Sequence, residues 1–186
     1  MRFFYTFLFL TLTSIVSVQG QSSNFELGIV GGLSFSNVVG ADASNNNSIR
    51  LGVHLGGYAQ FPIEKRFGFR PELHVISIKG TSSGNFRTFY FDAPLLGTYD
   101  LDDRFKLMGG VQPSLLINAS EVDGRGNISN QIRTIDLGLV AGLWYQINKQ
   151  WGAGFRASRG ISRIGANGNE RTFNVNYQLS IGYRFL

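Results

Sequence analysis

From Phe25 onward, apolar side chains fall on odd-numbered positions, and small, polar or charged ones on even-numbered positions, through seven separate stretches. A period of two is the mark of a β-strand with two different faces. The regularity is plainest where Ile49, Leu51, Val53, Leu55, Gly57, Ala59 and Phe61 alternate with Arg50, Gly52, His54, Gly56, Tyr58 and Gln60. The chain end repeats it, with Phe173, Val175, Tyr177, Leu179, Ile181, Tyr183 and Phe185 set against Thr172, Asn174, Asn176, Gln178, Ser180, Gly182 and Arg184. Strands this long and numerous, oily on one face and polar on the other, predict an all-β fold: an eight-stranded antiparallel up-and-down transmembrane β-barrel.

The first twenty residues have a different composition. Arg2 is followed by an apolar block from Phe3 to Leu12, and then by a more polar stretch ending at Ser17-Val18-Gln19-Gly20-Gln21. The block is too short for a comfortable membrane span, and Val18 and Gly20 are small residues where a signal peptidase needs them. The expectation is a signal peptide over 1–20, cleaved before Gln21, and a barrel domain over 21–186. Beyond that leader no run is apolar enough for a spanning helix. A chain that enters the membrane must then close its sheet, because lipid cannot satisfy the backbone groups of an open edge.

Eight strands are expected at about 25–36, 49–61, 67–79, 87–101, 105–118, 132–147, 151–164 and 172–186. Short turns, Pro62 to Arg66, Asp102 to Arg104 and Asn148 to Gln150, follow the second, fourth and sixth strands. Longer Gly-, Asn- and Ser-rich segments, Asn37 to Ser48, Gly80 to Phe86, Ala119 to Gln131 and Gly165 to Arg171, follow the others. Outer-membrane barrels divide their connections this way, with turns in the periplasm and loops outside. If the turns preserve parity, Asp100 faces Lys106, Trp144 faces Gly154, Tyr58 faces Arg70 and His54 faces His74.

The even-numbered strand residues include five acids and five bases: Glu26, Arg50, Arg70, Glu72, Asp92, Asp100, Lys106, Asp136, Arg156 and Arg184. An eight-stranded barrel is only wide enough for its own side chains, so these charges should pair and plug the lumen. On the odd face, Phe61, Phe67, Phe69, Tyr145, Trp151, Phe155, Tyr183 and Phe185 sit near strand ends, several of them beside the short turns, as an interfacial aromatic girdle would require. Inward glycines such as Gly142, Gly152 and Gly154 relieve crowding in a narrow lumen. Pro71, Pro94 and Pro113 break the pattern, since each removes a ladder donor from a barrel that has no free edge; bulges or kinks are expected there.

Several of these segments also resemble a known family. Phe69-Arg70-Pro71-Glu72-Leu73 followed by Ile78-Lys79-Gly80 is similar to the third strand of the PorT-like outer-membrane β-barrel proteins. Phe91-Asp92-Ala93-Pro94-Leu95-Leu96 resembles that family's fourth strand, Gly109-Gly110-Val111-Gln112-Pro113 its fifth, and Asp136 to Gly142 its DxGxxxG sixth. Ile181-Gly182-Tyr183-Arg184-Phe185 is similar to the aromatic-ended closing strand that barrel assembly machinery recognises, although Leu186 follows the aromatic here. The resemblance implies an outer-membrane location with the lipid bilayer as surroundings, insertion by assembly machinery, and for a few members a link to protein secretion.

Little in the sequence points to chemistry. There is no cysteine, and hence neither a disulfide framework nor a thiolate metal site. Losing residues 1–20 removes Arg2 alone, so the net charge falls from +5 to about +4; the bases are scattered, which argues against nucleic acid as a partner and leaves anionic lipid headgroups as the better match. His54, His74 and Glu72 are the natural candidates for a metal site, yet two imidazoles and a carboxylate also satisfy one another as an internal hydrogen-bond cluster. For lipid-modifying catalysis a hydroxyl must reach a base near the membrane surface. Ser77 falls on the lipid-facing parity and His74 on the opposite one, so no catalytic residue, cofactor or metal is assigned. The reading is a structural or interaction protein whose external loops meet an unidentified partner. The alternatives are an accessory of protein secretion across the outer membrane and a soluble lipocalin-like binder, which would need the odd residues inward.

Overall fold

The computed structural model describes residues 25–41, 49–81, 86–121, 134–162 and 172–185. They form β1 (Glu26–Gly40), β2 (Arg50–Glu64), β3 (Phe67–Thr81), β4 (Phe86–Asp92), β5 (Leu95–Asp100), β6 (Phe105–Glu121), β7 (Ile135–Gln146), β8 (Trp151–Gly160) and β9 (Thr172–Arg184). Consecutive strands pair antiparallel, except that β4 and β5 each pair with β3 and β6 and not with one another, and β1 pairs with β9 from Gly28↔Arg184 to Gly40↔Thr172. That pairing shuts the sheet on itself. Since β4 and β5 together occupy one position in the wall, between β3 and β6, the fold is a closed eight-stranded antiparallel β-barrel. The expected leader at 1–20 and most of the four long connections lie outside the described residues.

The break between β4 and β5 departs from the single strand expected over 87–101, and proline is its cause. Pro71, Pro94 and Pro113 stand on three adjacent strand positions at one level of the wall. There the ladder is re-knit around the missing donors: Pro94 O accepts the N–H of Glu72 at 2.8 Å and Pro113 O accepts that of Ala93 at 2.9 Å. The wall stays joined there, because Pro94 and Pro113 still contribute their carbonyls.

The short turns are built alike. Asp102 Oδ1 accepts the backbone N–H groups of Arg104 and Phe105, both at 2.7 Å. Asn148 Oδ1 accepts those of Gln150 and Trp151 at 2.9 and 2.8 Å. These Asx turns fix loop length and register together. The two backbone donors also hold the Asp102 carboxyl below the ordinary aspartate value. Asp100↔Lys106 and Trp144↔Gly154 are accordingly paired as expected.

The first turn is different. Pro62 pairs with Gly68 and Glu64 with Phe67, so the chain reverses over Lys65 and Arg66 alone with Ile63 as an extra residue, and the register slips by two from the expectation. Tyr58 therefore faces Glu72 and not Arg70, and His74 faces Gly56 and not His54.

Two further bulges reverse parity. In β3, Val75 and Ile76 are both exposed, at 60% and 39%, while Ser77 is fully buried; from there to Lys79 the odd residues point inward. In β6, Ile117 is the extra residue opposite the Phe89/Tyr90 step, and Ala119 is buried. A bulge adds one residue to one strand and so exchanges the faces beyond it. Elsewhere the alternation holds, with Ile29, Leu33, Val53, Leu55, Leu107, Leu139, Leu179 and Ile181 outward and exposed. The lipocalin-like alternative fails on this point, because a soluble binder would turn those residues toward its cavity.

Candidate functional site

The lumen gathers what the even positions supply. In its half nearer the short turns, Glu72 is the centre: Oε1 accepts Arg70 Nε–H at 2.8 Å, and Oε2 accepts Arg156 Nη1–H at 2.8 Å and His74 Nε2–H at 2.9 Å. Three donors on one carboxylate satisfy most of its acceptor capacity, which a buried charge requires. Arg70 also lies over two rings, 3.8 Å from the Tyr58 centroid and 4.3 Å from that of Trp144. The faces of those rings carry partial negative charge, so the guanidinium is held from three sides. Val30, Leu96, Met108 and Val140 close around this group.

Trp144 fills the barrel here because three glycines give way to it. A Cβ on Gly152 would lie 2.5 Å from Cε2, Cζ2 and Nε1 of the indole, and one on Gly154 or Gly182 would lie 2.7 or 2.6 Å from the same ring. Gly56 makes similar room for His74. Replacing Gly152 by alanine is expected to cost about 1–3 kcal/mol by overpacking. In a double-mutant cycle with Trp144→Ala, measured by urea unfolding in detergent, that cost should largely disappear.

His54 is not a Glu72 ligand. Its ring bridges Ser180 Oγ at 2.9 Å and Ser34 Oγ at 3.4 Å, and lies 5.4 Å, centroid to centroid, from His74. The two histidines and Glu72 thus share a neighbourhood without converging on one point. Among the described residues no group of three His, Asp or Glu side chains is placed to hold a metal ion.

A second cluster lies nearer the long connections. Lys79 Nζ donates to Asp92 Oδ1 at 2.9 Å and to Ser114 Oγ at 3.3 Å, above the ring of Tyr90. Asp136 Oδ2 accepts Asn174 Nδ2–H at 2.9 Å. Lys79 was absent from the inward set drawn from parity, because it follows the β3 bulge. The signal was present, since Ile76 and Ile78 put apolar residues on even numbers just there. Ser77 is corrected for the same reason: it points into the lumen, fully buried, away from the membrane surface where a lipid ester would be reached.

Of the remaining expected charges, Lys106 pairs with Asp100 at 2.8 Å and Arg184 with Glu26, both at the mouth beside the short turns. Arg184 also donates to Lys149 O. Arg50 stands half-buried at the opposite end of β2.

Outside, aromatic rings meet in pairs around the short-turn end: Phe25 with Phe61, Phe67 with Tyr99, Phe105 with Tyr145, and Trp151 with Tyr183, each pair at 4.9 Å. Phe185 adds to the last pair at 5.5 Å. Phe25, Tyr99 and Phe105 extend the set named from sequence; cross-strand partnership at the turns is what reveals them. The phenol groups of Tyr145 and Tyr183 accept from Arg104 and Gln150 in the adjoining turns, at 3.4 and 3.1 Å. Phe69 sits one outward position above Phe67, and Phe155 stacks on Tyr177 higher up the wall.

The sequence profile described as Outer membrane protein beta-barrel domain matches residues 19–166. No curated protein matches in sequence. Among solved structures, Ail, the attachment invasion locus protein of Yersinia pestis, is 16% identical with a TM-score of 0.54, the match covering 86% of this chain and 98% of that one. Neisserial surface protein A is 13% identical with a TM-score of 0.57, covering 86% and 97%. At such identities the likeness is one of fold.

Proposed function

Since the chain belongs to the outer membrane protein beta-barrel domain family, we propose that it is an integral outer-membrane barrel with a plugged lumen, acting as a rigid mount for the segments that join its strands at the outer end. One observation carries this. Among the described residues, the buried charged side chains inside the wall are Arg70, Lys79, Arg156, Glu72, Asp92 and Asp136, three bases and three acids that cancel. Water-filled pores are lined by charges free to meet ions; here Arg70 and Arg156 meet Glu72, Lys79 meets Asp92, and Asp136 meets the Asn174 amide, around a lumen blocked by Trp144, Tyr58 and Met108. What such a barrel can offer is its outside: a lipid-facing band and the connections 41–49, 81–86, 121–134 and 162–172. Variation there is free of the constraint lipid sets on the strands. The order of the Pro71-Glu72-Leu73, Pro94-Leu95-Leu96 and Asp136 to Gly142 motifs supports a place near the PorT-like members.

The purified protein in planar bilayers should give no large, steady ion conductance; a stable open channel would overturn the plugged reading. The pairs of rings at the short-turn end support a girdle at the periplasmic interface. Export with cleavage before Gln21 is checked by intact mass, which should lack residues 1–20.

A further inference from the structure

The outer wall of β7, β8 and β9 carries a feature the plugged-barrel reading does not use. Between the short-turn girdle and the far rim, outward positions on these three strands are apolar or small, with two exceptions, Arg159 and Tyr177. Both line one shallow groove of about 430 Å³, floored by Ala141 and Ala157 and walled by Leu139 and Val175. Arg159 lies between Leu139 and Val175 in the ladder, and among the described residues no carboxylate pairs with it. It stands eight positions beyond Trp151 on β8. With about 3.3 Å of rise per residue and a tilt near 40°, that is roughly 20 Å above the girdle, inside the upper edge of an apolar band about 25 Å tall. An unpaired guanidinium at that depth must reach up to the headgroup layer.

We propose that this groove is a lipid site: a phosphate-bearing lipid seats an acyl chain over Ala141 and Ala157 and its phosphate on Arg159, with the Tyr177 hydroxyl as a further polar contact. Three features converge on that occupant. The floor is too small-sided to be its own packing surface, and its walls match a hydrocarbon chain. A planar cation with no ion-pair partner among the described residues sits at the headgroup end, and guanidinium takes phosphate oxygens two at a time. A neutral lipid would leave that charge unmet.

The proposal rests on the barrel being embedded in lipid, and that premise has its own control: heat-modifiable migration on a detergent gel, which Arg159→Gln should leave unchanged. The test is native mass spectrometry of the full mature protein released from detergent, with dipalmitoyl phosphatidic acid or dipalmitoylglycerol added. The wild-type protein should retain one phosphatidic acid and not the diacylglycerol. Retention should fall at least about tenfold in Arg159→Gln, recover in part in Arg159→Lys, and fall again in Ala157→Trp, which fills the groove while keeping the cation. Equal retention by Arg159→Gln and wild type would overturn the site. So would equal retention of the two lipids, or displacement of the lipid by millimolar inorganic phosphate, which would show an ion site with no role for the chain.

Discussion

Replacing Glu72 by glutamine lowers the unfolding free energy of the barrel by about 3–5 kcal/mol, because the substitution keeps the shape of the side chain and leaves two buried guanidinium groups facing a neutral amide. Arg70 and Arg156 are 3% and 1% exposed, so neither can turn to solvent for relief. The aromatic rings about Arg70 soften the loss at that end of the cluster, whereas Arg156 has, among the described residues, only Glu72 as an ionised partner. A second substitution separates charge from packing. Adding Arg156→Met to Glu72→Gln removes one of the stranded cations and should restore a substantial part of the loss, since a well-packed apolar group is cheaper inside than an unpaired ion. Urea unfolding from lipid vesicles, read by tryptophan fluorescence, measures both. The same protein tests the plug: if Glu72→Gln unfolds like the wild type, the cluster is hydrated and the sealed lumen is wrong.

The second large effect belongs to the other face. Leu179 is 50% exposed and lies between Leu33 and Phe155 in the ladder. It stands four positions above Tyr183 on β9, roughly 10 Å from the girdle and so near the middle of the apolar band. Leu179→Arg is expected to cost about 2–4 kcal/mol in a bilayer, and Leu51→Arg, ten positions above Phe61 on β2 and hence at the far rim, only about 0–1 kcal/mol. Equal costs at the two depths would mean that this face does not meet hydrocarbon. Arg159 occupies a height between them, which is why its partner is sought in the headgroup layer.

The legible part of this protein was whatever a local rule controls. Strand alternation, read alone, placed Leu33, Val53, Leu139 and Leu179 outward and Glu72, Asp136 and Arg156 inward. The three-residue turns at 102–104 and 148–150 fixed two registers correctly, because an Asx side chain and its next backbone donors settle a turn without help from the rest of the fold. Prediction failed where one extra residue entered the wall. A hairpin that closes tightly on Lys65 and Arg66, with Ile63 bulged beside it, moved the Tyr58 pairing by two, and the bulge at Val75 moved His54 one further and carried Ser77 and Lys79 to the inside. Proline marked the break between β4 and β5 in the sequence, but not how Pro94 and Pro113 would reuse their carbonyls.

The sequence by itself determined that the chain is a two-faced sheet with a charged interior, since alternation needs only the period of the strand. Only the tertiary structure decided which charges meet across the lumen. Glu72 and Arg156 are 84 residues apart and on strands that do not touch in the wall, so they come together solely because the sheet closes, with a circumference small enough for two side chains to span the lumen. Closure is a property of all the registers at once, and each bulge changes it, so no local pattern could have named that pair.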